Sequence, residues 1–114
     1  MSAEPFRPGD TVRLPFLVAA AGAIVNISDG IVSAVVKGRA ASRELTVGDG
    51  ITILDPAPMP AADGVEQAPH GIVTLDGDLT AELPLGRLTT LTVFFTNSAG
   101  VRMHTPPIWL AGVA

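Results

Sequence analysis

Apolar side chains recur at every second position in short runs along this chain, and no stretch of any length carries them at the spacing of an amphipathic helix. In residues 11 to 18, Val12, Leu14, Phe16 and Val18 share one face, and Arg13, Pro15 and Leu17 share the other. Pro15 cannot donate to a ladder, which places this strand at a sheet edge or puts a bulge in it. Residues 20 to 23 (AAGA) read as a turn, and Ser28-Asp29-Gly30 as another, ahead of the β-branched strand IVSAVVK at 31 to 37. Residues 43 to 47 and 51 to 54 flank Gly48-Asp49-Gly50, whose two glycines tolerate positive φ, and this predicts a hairpin. A strand at 71 to 75 is turned by Asp76-Gly77-Asp78, and residues 79 to 85 read as a helical turn or an irregular crossover ending at Gly86. Residues 88 to 96 (LTTLTVFFT) form the strongest strand signal. Residues 97 to 100 turn the chain into 101 to 105, and Pro106-Pro107 separates that piece from 108 to 113. Seven or eight short strands without a long helix predict an all-β domain, an antiparallel sandwich, with a small closed barrel as the architectural alternative.

Two segments depart from this pattern. Residues 55 to 70 (DPAPMPAADGVEQAPH) carry four prolines, and only Met59 and Val65 are sizeable apolar anchors. Loops of this length in compact domains are mobile or functional, and we expect this one to be ordered by a partner. Residues 14 to 25 (LPFLVAAAGAIV) are apolar enough to suggest a secretory core. Glu4 and Asp10 offset the basic residues before it, however, and Pro15 opens it, so it reads as a strand followed by a turn.

A length of 114 residues suits a single domain over residues 1 to 114. Such a chain buries roughly two thirds of its unfolded surface and needs no disulfide or metal to fold. A net charge of −4 argues against nucleic acid as a partner, because no excess of cations is available to release counterions. No apolar run reaches the ~18 residues of a spanning helix, which argues against a membrane partner or location.

Candidate chemistry is sparse. His70 and His104 are the only histidines and there is no cysteine, so no metal site and no cofactor is expected. His70 reads as a turn residue and His104 as a surface residue on a strand. Asp49, Asp76 and Asp78 lie among glycines, where aspartate caps its own backbone, and the spacing of a calcium loop is missing. No serine sits in a nucleophile elbow and no glycine-rich phosphate loop occurs, so the chain is not expected to be an enzyme.

Surface features are more informative. Lys37, Arg39 and Arg43 form a basic patch, either a solvated strand end or an anionic contact with a partner subunit. On the 88 to 96 strand, Leu91, Val93 and Phe95 share a face, so Phe94 points the other way with Thr90, Thr92 and Thr96. Pro106-Pro107 is expected to stop pairing after Thr105 and free residues 108 to 113 to pair elsewhere, on the opposite sheet or on a neighbour's edge. That segment holds Ile108, Trp109 and Leu110. With Phe94 and Met59 they complete the expected partner interface.

These pieces together resemble the immunoglobulin-like N-terminal domain of tailed-phage upper baseplate proteins, and related small virion proteins. The matching residues are Gly9-Asp10-Thr11, Ala21-Gly22 leading to Val25-Asn26-Ile27-Ser28-Asp29-Gly30, and Gly-Ile-Thr-Ile-Leu-Asp at 50 to 55. Gly71 to Leu75, Leu83-Pro84-Leu85-Gly86-Arg87 and Ser98-Ala99-Gly100-Val101 before Thr105-Pro106 extend the match across residues 7 to 113. This chain has Leu88 where the family has an aromatic, and its 55 to 70 loop is enlarged. The resemblance implies an immunoglobulin-like β-sandwich and a non-catalytic, multi-copy or homo-oligomeric virion protein. Such a protein is made in the bacterial host cytoplasm and docks on other capsid, neck or tail proteins. A small carbohydrate-binding module is the alternative, disfavoured by four phenylalanines, one tryptophan and no tyrosine.

Overall fold

The computed structural model describes residues 4–38, 42–59 and 68–113. It is nearly all β. In chain order the elements are β1 (Glu4–Phe6), β2 (Val12–Phe16), β3 (Ala19–Ala20), β4 (Ala23–Ile24), β5 (Ile31–Lys37) and β6 (Ser42–Val47). There follow β7 (Gly50–Ile53), β8 (Gly71–Leu75), α1 (Gly77–Glu82), β9 (Gly86–Thr96), β10 (Arg102–His104) and β11 (Ile108–Gly112). Eight strands form one nearly closed path, β1-β11-β9-β5-β6-β7-β8-β2, with β10 paired to β9 beside it and β3-β4 as a separate hairpin. As Pro15 predicted, β2 is a terminal strand of that path, paired among the described residues with β8 alone.

The sheet is mixed rather than antiparallel throughout. The segment Glu4–Phe6, which the apolar pattern does not mark as a strand, lies parallel to β11 (Glu4↔Leu110, Phe6↔Gly112). The expected hairpin at Gly48-Asp49-Gly50 is replaced by a coil. Thr46 pairs with Gly50 and Val47 with Ile51 in parallel, and the ring is closed by Asp49 N–H to Thr46 O (2.9 Å) and Gly48 N–H to Ile51 O (3.0 Å). A link of two residues would suffice for an antiparallel hairpin, but here the chain winds once between β6 and β7 because the two strands take different partners, β5 and β8. Gly48 and Gly50 at φ +88 and +102 make that winding accessible. In this way β6 serves β5 on one side of the molecule while β7 serves β8 on the other.

Residues 108 to 113 do not leave for another sheet: β11 returns to the same strand, β9, that β10 had been using. Where proline removes the donor, Thr105 compensates, its N–H donating to Val93 O (2.9 Å) and its hydroxyl accepting from Val93 N–H (3.1 Å). Pairing resumes one residue out of step, His104↔Phe94 giving way to Ile108↔Leu91.

Alternate residues of the path point inward and meet in one core containing Leu14, Phe16, Val36, Ile51, Leu75, Leu91, Val93, Phe95 and Leu110. Each fully buried aliphatic or aromatic side chain of this kind contributes about 1.5–3 kcal/mol over leaving it in water. One short helix, α1, crosses from β8 to β9. Asp76 caps it, its carboxylate accepting from Leu79 N–H at 2.8 Å, which is the turn role the sequence assigned to that aspartate. Its buried Thr80 donates to Asp10 O (2.7 Å) and accepts from Gly9 N–H (3.1 Å), fastening the β1–β2 turn to the body of the sheet.

Candidate functional site

The register of β5, β9 and β11 determines what the outer face of this half of the sheet presents. Paired residues share a face, so Trp109, Thr90 and Lys37 form one row, and His104, Phe94 and Ser33 another. Between and beyond them lie Val35 with Thr92, and Ile31 with Thr96 and Arg102. Phe94 points outward, as its alternation with Phe95 predicted, and is half-buried. Its cover is local: the Arg102 guanidinium sits 4.0 Å over the ring, and the His104 ring lies 5.9 Å away at 55°. A cation–π contact of this exposed kind contributes about 0.5–1 kcal/mol.

The remaining predicted interface residues separate into three groups. Trp109 is 38% exposed and Met59 80% exposed, while Lys37 lies exposed at the end of β5. Arg43 is exposed too, but paired with Glu82 at 3.1 Å, so part of its charge is already answered within the chain. Leu110 is a correction: it is fully buried and belongs to the core, because it faces inward opposite Thr89. Ile108, opposite Leu91, likewise packs against the core and is only partly accessible. The bulge at the prolines, invisible to a simple alternation count, decides which residues of IWLAG point inward. Arg39 lies outside the described residues, as do residues 60–67 of the long loop.

Sequence reasoning missed the most exposed aliphatic residues on a strand. Ile31 is 74% and Val47 54% exposed, and both border an apolar cleft of about 570 Å³ with Ile27, Val32, Ile53 and Pro56. The cleft exists because β6 stops at Val47 while β7 continues to Ile53, leaving a notch roofed by the 25–30 loop, tied down by Ile27 N–H to Pro56 O (2.9 Å). A signal was available for Ile31: in IVSAVVK, burying Val32, Ala34 and Val36 turns Ile31 outward with Ser33, Val35 and Lys37.

His70 is not the turn residue its sequence context suggested. It is completely buried at the start of β8, with the Phe16 ring stacked 6.4 Å away. Burial away from water lowers its pKa from the usual 6.5, outweighing the Val25 carbonyl and the Asp55 charge, which act the other way. Its Nδ1 accepts from Val18 N–H at 2.9 Å and its Nε2 lies 2.6 Å from Val25 O, so it is the neutral form protonated at Nε2. His104 is exposed, as expected, with Nδ1 2.9 Å from Thr105 O. Among the described residues, no group of three or more histidines and carboxylates is close enough to hold a metal ion. None of the described helices is long and apolar enough to cross a membrane. Comparisons of the chain with protein-family models, with curated proteins and with solved structures give no match.

Proposed function

We propose that this chain is a non-catalytic structural protein of a bacteriophage particle, present in many copies. In this reading it docks on a capsid, neck or tail surface through the outer face bearing Phe94 and Trp109. The observation that carries the reading is the character of the exposed surface. Large apolar side chains (Ile31, Val47, Leu54, Met59, Leu88, Trp109) stand in solvent, while Asp76, Thr80 and His70 are used as a cap and as pins within the fold. Exposed apolar surface, where it is contiguous, marks protein contacts.

The immunoglobulin-like form of the sandwich belongs to the same reading. It is supported by the chain's crossings after β2 and after β8 between the β7-β8-β2 and β11-β9-β5-β6 stretches of the one nearly closed sheet, as in Greek-key sandwiches. Two features depart from the simplest such sandwich, the parallel β1 on β11 and the coil that joins β6 to β7.

Mass spectrometry of purified particles, from cells infected by a phage that encodes the chain, tests the reading. The expected result is recovery of the chain in stoichiometric multiples of a particle symmetry. Its absence from intact particles sinks the proposal.

A further inference from the structure

The hairpin β3-β4 is the least polar exposed part of the described molecule. Residues 17 to 25 (LVAAAGAIV) contain no polar side chain, yet Ala19, Ala20, Ala21, Gly22 and Ala23 are all exposed. At its base, Val25 N–H donates to Val18 O at 3.1 Å. The reciprocal bond of an antiparallel pair, Val18 N–H to Val25 O, is replaced by the His70 ring: Val18 N–H donates to Nδ1 (2.9 Å), and Nε2–H donates to Val25 O (2.6 Å). An imidazole is thus spliced into the ladder as one rung. The ring itself is held from three sides. His70 N–H donates to Phe16 O (2.9 Å), its carbonyl accepts from Leu54 N–H (2.8 Å) and Asp55 N–H (3.1 Å), and Phe16 stacks on the ring.

We propose that His70 is a proton-operated latch on this hairpin, which holds its base closed while the ring is neutral and opens it when the ring is protonated. The rung requires one nitrogen that accepts and one that donates, which only the neutral imidazole offers in this geometry. A proton added to Nδ1 sets an N–H against the Val18 N–H and leaves both donors buried without an acceptor, while the bond to Val25 O survives. The hairpin is the part that yields. The ring is anchored by its own backbone, bonded to Phe16, Leu54 and Asp55 just before β8, whereas residues 19 to 24 bring only a two-residue ladder, Ala19↔Ile24 and Ala20↔Ala23.

Among the described residues, the ring meets Phe16 from β2, Val18 and Val25 from the hairpin base and, after β7, Asp55, the one charged group among them acting on it, whose carboxylate also accepts from Ala57 N–H at 3.0 Å. Asp55 favours the protonated ring and burial disfavours it, with burial the larger, so the latch is shut at neutral pH and opens on acidification.

Site-resolved amide exchange by NMR on the full chain, corrected for intrinsic rates, with the His70 ring titration followed in the same samples, tests this. Below the His70 midpoint, protection at Val18 and across residues 19 to 24 is expected to fall by up to tenfold per pH unit, the limit for uptake of one proton, while amides of β5 and β9 keep theirs. His70→Gln, which cannot titrate, is expected to remove that pH dependence. Unchanged Val18 protection while His70 protonates would overturn the proposal. Simultaneous loss in the hairpin and β9 would do the same, since it means global unfolding. A ring that stays neutral until the chain unfolds, or pH dependence that persists in a folded His70→Gln chain, would also overturn it. If the variant does not fold, the wild-type titration alone decides.

Discussion

Two buried polar side chains in different parts of the sheet illustrate opposite outcomes of the same physics. The His70 ring satisfies both nitrogens, whereas Thr89, equally buried, has no partner for its hydroxyl oxygen among the described residues. An unpaired buried hydroxyl forfeits its hydration and receives nothing in exchange. Thr89→Val keeps the β-branched shape that suits β9 and removes the orphan, so a gain of about 1 kcal/mol is expected in chemical denaturation, with an unchanged denaturant slope. For His70 the sign follows from its lowered pKa. The unfolded chain, with an ordinary histidine near 6.5, takes up the proton before the folded one does, so stability is complete above that pH and declines as pH falls toward the folded-state value. The slope reaches at most about 1.4 kcal/mol per pH unit for one proton. Denaturation curves of wild type and His70→Gln between pH 7.5 and 5 check it, the pH-dependent difference vanishing if the ring does not titrate on unfolding.

At the scale of elements, turn geometry carries most of the specification. The β3-β4 turn places Ala21 at φ +53 and Gly22 at φ +80, the pattern of a two-residue turn that favours Asn-Gly. An alanine there bears a left-handed cost of about 1–2 kcal/mol that asparagine partly avoids. Ala21→Asn is therefore expected to stabilise the chain by about 0.5–1 kcal/mol and to raise amide protection in residues 19 to 24; a lower melting temperature would count against the assigned turn. Gly48 and Gly50 are read from the chain as turn residues either way. Whether the turn reverses the strand or winds it onward depends on partners that are remote in sequence: β5 claims β6, and β8 claims β7.

For the molecule as a whole, adjacent residues on β11 separate folding from docking. Leu110 lies in the core and Trp109 on the outer face. Leu110→Ala is expected to lose about 2–5 kcal/mol of stability. Trp109→Ala is expected to lose less than about 1.5 kcal/mol from the isolated chain while reducing its incorporation into particles, measured by co-sedimentation. A loss of several kcal/mol from the isolated Trp109→Ala chain assigns that side chain to the intramolecular core and removes it from the interface.

The all-β class, the edge position of β2, the outward turn of Phe94 and the Asp76 cap were legible in the sequence, because each depends on period-two alternation, a missing N–H or a cap within three residues. So were the limits of β5, set by a glycine turn before it and an unbroken run within it. The parallel strands, the coil at Gly48-Asp49-Gly50, the return of β11 to β9 and the burial of Leu110 were not, since each is settled by which distant strand offers its edge. The same holds for His70. A histidine after Ala68-Pro69 reads as a loop residue until β2 and the hairpin base close around it and supply the donor and acceptor that keep it neutral. Local pattern determined what each segment can be. Long-range pairing alone decided which backbone groups and side chains it meets, because hydrogen bonds and burial at a given position are supplied by partners whose place along the chain the local sequence does not encode.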